Sequence, residues 1–282
     1  MSDAHNFRVD SPINPYYGAP SADAELAEHE HQSIKAAFRE AGVEVITTES
    51  PVESQDGVYT ANWALVRGDT AILARLPDVR KAEEPYAEKV LRELGKKIVY
   101  APEGLKFSGQ GDALACGNYL FCGRGYRSDE AAQIFAADTL GYTRVQLETI
   151  PLRDTNGNAV VNTTSGWADS FFYDIDLALS ILRAPTTDHK GLIAYCPEAF
   201  TEESRQILAD FDGVEKIIMS LEEAQESFAA NLVSTGGTVI MSATAPLLKQ
   251  AIIDAGLRVI TPTVKELAKG GGYIRCTALT LD

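Results

Sequence analysis

The sequence predicts an α/β fold built from repeated ββαβ units. Helical and strand patterns alternate along all 282 residues. Hairpin signals fall between them. The helix-then-strand unit recurs roughly every fifty to sixty residues, a period fit for a supersecondary repeat, so about five units fit. No linker, low-complexity run or shift in composition divides the chain. One domain over residues 1–282 is the simplest reading, and a conventional doubly wound sheet is the competing one.

Each element has its own signal. "DAELAEHEHQSIKAAFREAG" (Asp23 to Gly42) places apolar residues at helical spacing and stops at Gly. "VEVIT" follows as a strand. "GVYTANWALVRGDTAILAR" reads as two strands joined at Arg67-Gly68-Asp69. "EEPYAEKVLRELG" is an amphipathic helix and "KKIVYAP" the strand after it. "GDALACGNYLFCGRG" is a hairpin turning at Gly117-Asn118. "SDEAAQIFAADTLG" is a helix with Ser128 as candidate N-cap and a Gly end. "TRVQLETIPL" is a strand. "FYDIDLAL" reads as a strand edge with two acids, which on a strand would share a face. "GLIAYCP" is a strand, and "TEESRQILADF" and "SLEEAQESFAAN" are helices. "TVIMSA", "APLLKQAIIDAG", "RVITP" and "TVKELAKGGG" give strand, helix, strand, helix. "YIRCTALTLD" is expected as a final strand.

Composition narrows the function. Apolar residues make up 45% and charged residues 23%, as in a soluble globular protein. The absence of a signal pattern or a long apolar run points to a cytoplasmic protein with no membrane partner. The net charge of −15 repels phosphate backbones, so nucleic acid is a poor partner. Cys116, Cys122, Cys196 and Cys276 show no C-x-x-C spacing and read as free thiols. A homo-oligomer is compatible with all of this. His29 and His31 lie two apart on a helix and face different ways, so they make no metal site. "GRGYRS" lacks the third glycine of a dinucleotide fingerprint, and "GGGY" lacks the Lys-Ser/Thr of a P-loop. No cofactor and no metal is implied.

Four separated segments carry a resemblance: "TANWALV", "FSGQGDAL", "FYDIDLAL" and "GGGYIRCTALTL". "INPYY", "VRKAEEP", "GRGYRSD" and "SFAANLV" support it in the same order. Together they resemble the amidinotransferase and dimethylargininase-like branch of the pentein superfamily, which includes arginine deiminases and dihydrolases. The resemblance covers nearly the whole chain. It implies a five-bladed α/β propeller around a central site for a guanidino group. There a cysteine attacks the guanidino carbon, acids hold the cation and a histidine shuttles protons.

Carried over position by position, the resemblance makes Cys276 the nucleophile. Read alone, Cys276 is a small buried residue in a last strand. Asp112 and Asp176 match acids that hold the cation, since two carboxylate oxygens accept parallel N–H donors. Asn62 matches a contact to the guanidino end. Asn14 lines the mouth, and Arg127 matches an arginine near the substrate's carboxylate.

Two positions depart from the pattern. The family's Phe-Glu-Gly is Phe107-Ser108-Gly109, so Ser108 stands where a substrate-binding carboxylate is usual. The family's His-x-Asp is Asp174-Ile175-Asp176, so Asp174 stands in place of the catalytic histidine. Adjacent acids raise one another's pKa, which suits Asp174 to general acid work. A carboxylate beside Cys276 also disfavours its thiolate. The expected function is therefore a Cys-dependent hydrolase or amidinotransferase acting on a cationic guanidino compound such as arginine or a methylated arginine. The alternative is an altered member that binds a cationic small molecule without turnover. A different Cys-based reaction, on a substrate without a full guanidinium, ranks third.

Overall fold

The computed structural model describes residues 1–19 and 21–281. Four three-stranded sheets account for its strands, in the orders β1-β2-β3, β4-β5-β6, β7-β8-β9 and β10-β11-β12. In the first, β1 (Ala64–Arg67) and β2 (Thr70–Leu73) form a hairpin, and α2 (Glu83–Glu93) leads to β3 (Lys97–Tyr100). The second has β4 (Ala113–Cys116), β5 (Tyr119–Arg124), α3 (Glu130–Leu140) and β6 (Thr143–Glu148). The third has β7 (Leu179–Arg183), β8 (Gly191–Tyr195), α4 (Glu202–Asp210) and β9 (Val214–Ile218). The short helix α5 (Leu221–Glu226) precedes the fourth: β10 (Val233–Ser234), β11 (Thr238–Ile240), α6 (Pro246–Asp254) and β12 (Arg258–Ile260). In every sheet the first two strands pair antiparallel and the last two parallel. The helix supplies the crossover that a parallel pair needs. The ββαβ expectation therefore holds unit by unit.

Local chemistry explains the boundaries. Gly68 and Gly117 sit at positive φ in the first two hairpin turns, as a tight reversal requires. Asp23 caps α1 (Ala24–Glu40) by accepting from the Leu26 N–H, and Thr201 and Ser220 cap α4 and α5 in the same way. The N-cap of α3 is Asp129, one residue past the expected Ser128. The Ser128 hydroxyl instead accepts from the Ser108 N–H at 3.1 Å.

A fifth unit, made of α1 and both chain ends, contains no regular strand among the described residues. The expected strand "VEVIT" makes only an isolated pairing, in which the Met1 amine donates to Ile46 O at 3.0 Å and Thr48 N to Met1 O at 3.1 Å. Two hydrogen bonds do not make a ladder. The expected helix in "TVKELAKGGG" is a short 3-10 turn, Leu267–Gly270. The N–H groups of Lys265, Glu266 and Leu267 are taken by the Glu30 carboxylate of α1, and Gly271 at positive φ ends the turn.

The expected final strand is instead a turn around Cys276 followed by irregular chain; its last residue, Asp282, lies outside the described residues. Arg275 N donates to Asn231 O at 3.2 Å, and Cys276 O accepts from Ala61 N at 3.0 Å. The segment is thus tied between the fourth and first units. "FYDIDLAL" is not a strand up to Leu179 either: Asp174 is extended, and Ile175–Leu177 form a 3-10 turn. Shared-face alternation therefore does not apply to Asp174 and Asp176.

The first strands of all four sheets border one cavity of about 580 Å³. The main apolar core includes Phe121, Phe172, Ile175, Leu177, Ile193 and Phe200 and packs between the sheets and the helices. No described helix is long and apolar enough to cross a membrane.

Candidate active site

Each unit enters its first strand, or the place of one, through a buried polar residue. Asn62 precedes β1, Asp112 β4, Asp176 β7 and Asn231 β10. Cys276 holds the equivalent place in the strandless fifth unit. Such residues are expensive to bury unless paired. Here they pair largely with one another and with the residues just before them.

Cys276 is 2% exposed. Its thiol is within 3.5 Å of Asp176 Oδ2, and Asn231 Nδ2 donates to its sulfur at 3.1 Å. Burial first, and then the Asp176 carboxylate, push the thiol well above the ordinary cysteine range. Cys276 therefore rests as a protonated thiol.

Asp174 Oδ2 accepts from Asn62 Nδ2 at 2.8 Å, while its Oδ1 has no partner. Asn62 Nδ2 also donates to Ser108 Oγ at 2.9 Å. On its other side Asn62 Oδ1 accepts from Arg80 Nη1 at 2.9 Å. Arg80 is locked by a bidentate pair to Glu83, at 2.8 and 2.7 Å. Gly111 has to be glycine here: a Cβ would lie 2.4 Å from Asn62 Nδ2 and 2.7 Å from Asp174 Oδ2. Burial raises the Asp174 pKa above the usual carboxylate range, and Arg127 partly offsets it. Asp176 is raised well above that range by burial and by Asp174.

Asp112 lies behind this layer and does not border the cavity at Cys276. Its Oδ1 accepts from the Ile175 N–H at 2.9 Å, which fixes the turn between Asp174 and Asp176. A Cβ at Gly123 would meet that oxygen at 2.3 Å. Burial, and then Asp174, hold the Asp112 pKa well above normal. Asp112 thus orients the two other acids.

The cavity at the site has a volume of about 20 Å³ and is bordered by Asn14, Asn62, Ser108, Arg127, Asp174 and Cys276, with Arg80 and Trp167. The sequence therefore named six of the residues that meet there. Asn14 Nδ2 donates to Gly270 O at 3.0 Å, and its Oδ1 accepts from Tyr16 N at 3.0 Å. Arg127 donates to Ile13 O, and its Nε has no partner. Its guanidinium lies 5.0 Å from the Tyr173 ring centroid and 5.7 Å from that of Trp167. No carboxylate pairs with Arg127 among the described residues.

Residues that went unnamed in the sequence reading include Asn231 and Arg80. Asn231 sits in "SFAANLV" and Arg80 in "VRKAEEP". Recurrence of a polar residue just before each unit's first strand would have found Asn231. Nothing local marks Arg80, because its role depends on Asn62.

No family model matches the chain. The bifunctional arginine dihydrolase/ornithine cyclodeaminase AgrE of Nostoc sp. is 29% identical over 99% of this chain, and ArgZ of Synechocystis sp. is 27% identical over 99%. The chain spans only 37% of the length of either relative. N(G),N(G)-dimethylarginine dimethylaminohydrolase of Mycobacterium tuberculosis is 29% identical over 98% of this chain and 82% of its own length. Among solved structures, the substrate-bound N-terminal domain of ArgZ superposes with a TM-score of 0.84 at 26% identity, covering 99% of this chain and 96% of that one. A dimethylarginine dimethylaminohydrolase adduct with S-methyl-L-thiocitrulline shares the fold, with a TM-score of 0.74 at 19% identity, covering 98% and 95% of the two chains.

Proposed function

We propose, from the premise that this chain is a homologue of the arginine dihydrolases and dimethylargininase and carries the pentein fold, that it is a Cys-dependent hydrolase or amidinotransferase of a guanidino compound such as arginine or a methylated arginine. Residues 1–282 act as one domain in this reading. The observation that carries it is the meeting of Cys276, Asp174 and Asn62 at one cavity, with the Arg127 Nε left without a partner at its edge.

The unpartnered Asp174 Oδ1 accepts a guanidinium N–H, and Arg127 takes the substrate's carboxylate. Cys276 attacks the guanidino carbon to give a covalent amidino-thioether. Asp174 then relays to the departing nitrogen the proton that the Cys276 thiol gives up, a role its raised pKa suits. Without the family histidine, the bound cation is the main agent that favours the thiolate.

The test is incubation with arginine, methylated arginines, agmatine and guanidino acids. Citrulline, ornithine, urea and ammonia release are followed, together with intact mass for an adduct on Cys276. Turnover of at least one compound, lost in Cys276→Ser, is the expected result. One observation favours the second reading, a binder without turnover: the thiol lies high and an acid stands where the histidine is usual. Thermal stabilisation by guanidino ligands that is equal in both proteins, with no product and no adduct, would establish that reading instead.

A further inference from the structure

Asn231 holds the nucleophile by both ends of its amide. Its Oδ1 accepts from the Cys276 N–H at 3.1 Å, and its Nδ2 donates to the Cys276 sulfur at 3.1 Å. The backbone donor fixes which end is oxygen, so an N–H must point at the sulfur. A group that already receives a donor on one side sends its own proton elsewhere. The acceptor within reach is Asp176 Oδ2, at 3.5 Å. Asn231 Nδ2 also approaches Asp176 O at 3.5 Å, and Asn231 is fully buried. Asp176 borders the 580 Å³ cavity at the first strands, and its Oδ1 is buried without a partner.

We propose that Asn231 is the positioning residue of the nucleophile, turning the Cys276 S–H toward Asp176, which takes the proton as the sulfur attacks. The inference rests on the guanidino reading of the site for the identity of the attacked carbon. In the step the S–H bond breaks and an O–H bond forms on Asp176. The sulfur pair forms the S–C bond, and the π pair of the guanidinium C=N moves onto nitrogen and neutralises its charge. Asn231 stabilises the thiolate through the same N–H throughout. Asp174 is left free to hold the cation as a carboxylate, and the proton taken by Asp176 is the one it relays to the leaving nitrogen.

Other charged and titratable groups also act on the sulfur. Asp174 faces it from the same turn as Asp176, Tyr16 from the N-terminal loop and Tyr59 from before β1. Tyr173 and Arg275 flank it within their own segments. None of these is hydrogen-bonded to the thiol.

The experiment is the pH profile of iodoacetamide alkylation at Cys276 in the full chain, read by mass spectrometry of the peptide that carries it. Asn231→Asp keeps an acceptor for the Cys276 N–H and loses the donor to sulfur. Its alkylation at mildly alkaline pH is expected to slow about tenfold, equivalent to one pKa unit. Asp176→Asn keeps an acceptor oxygen but removes the negative charge and the base. Its alkylation is expected to speed up about tenfold by the same conversion, while guanidino turnover falls. A purely structural role would not raise one and lower the other. Thermal melting verifies that each variant folds, and Asn231→Ala replaces Asn231→Asp if that variant does not. An unchanged profile on loss of Asn231, or slower alkylation in Asp176→Asn, overturns the proposal. If the unaltered protein turns over no guanidino compound, the functional reading fails, and the alkylation profiles still decide the roles of Asn231 and Asp176.

Discussion

Asn62 ties Asp174 to the rest of the molecule: its Nδ2 lies 2.8 Å from Asp174 Oδ2 while its Oδ1 receives Arg80. One neutral amide thus couples a buried carboxylate to a buried guanidinium. Asn62→Ala removes a donor and an acceptor at once. Leaving buried partners unsatisfied costs about 1–3 kcal/mol each. With Asp174 and Arg80 both affected, denaturant unfolding should show a loss of about 2–6 kcal/mol, with weakened guanidino binding by calorimetry. Gly111→Ala should weaken the same binding, because its Cβ would occupy the space of this hydrogen bond.

Guanidino binding should strengthen as pH rises. The Asp174 pKa is raised in the empty site, chiefly by burial. A bound cation favours the ionised carboxylate, so binding releases a proton. Below the empty-site pKa, affinity should climb by up to about tenfold per pH unit, and above it the slope should vanish. Titration calorimetry in Cys276→Ser isolates binding from chemistry. In Asp174→Asn the climb should be largely lost.

Arg127 should select for a carboxylate. Its Nε is buried without a partner, beside two aromatic rings. Arg127→Met should weaken arginine by roughly ten- to a hundredfold, the worth of a charged hydrogen bond of about 1.5–3 kcal/mol. Agmatine, which lacks the carboxylate, should change little. Equal losses for both ligands would mean that Arg127 only shapes the cavity.

Acid should destabilise the fold through His31, far from the site. This imidazole is fully buried, and neither ring nitrogen has a partner. Burial, and then Lys35, lower its pKa to about 3. The unfolded chain, with an imidazole pKa of about 6.5, takes up the proton first as pH falls. The stability from burying neutral His31 is therefore complete above that value and is lost as pH falls toward 3. The loss is on the order of 4 kcal/mol across the window. His31→Leu should melt with a flatter pH dependence between those limits.

The parts of the fold that close locally were legible in the sequence. Glycine turns at Gly68 and Gly117 need no distant partner, whereas the expected cap Ser128 is displaced by one residue because its hydroxyl serves the distant Ser108 N–H. The fifth unit was not legible, because its C-terminal chain is held by Glu30 from far along the sequence and by Asn231 and Ala61 from other units. The two acids of "FYDIDLAL" show the same limit. Alternation along a strand placed both at the site for a reason that does not hold. The Asp112 carboxylate, bonded to the Ile175 N–H, bends the chain so that each acid reaches its own partner. Asp112 itself was expected on the substrate and sits behind it.

The 20 Å³ cavity has a kinetic consequence. Such a space holds about one water molecule and no guanidinium. Every ligand must wait for a rarer, wider conformer, and its apparent affinity is divided by the population of that conformer. Association should therefore run well below the rate of encounter and saturate with ligand concentration. Shortening Trp167, which borders the cavity, should raise the on-rate without altering Cys276 or Asp174.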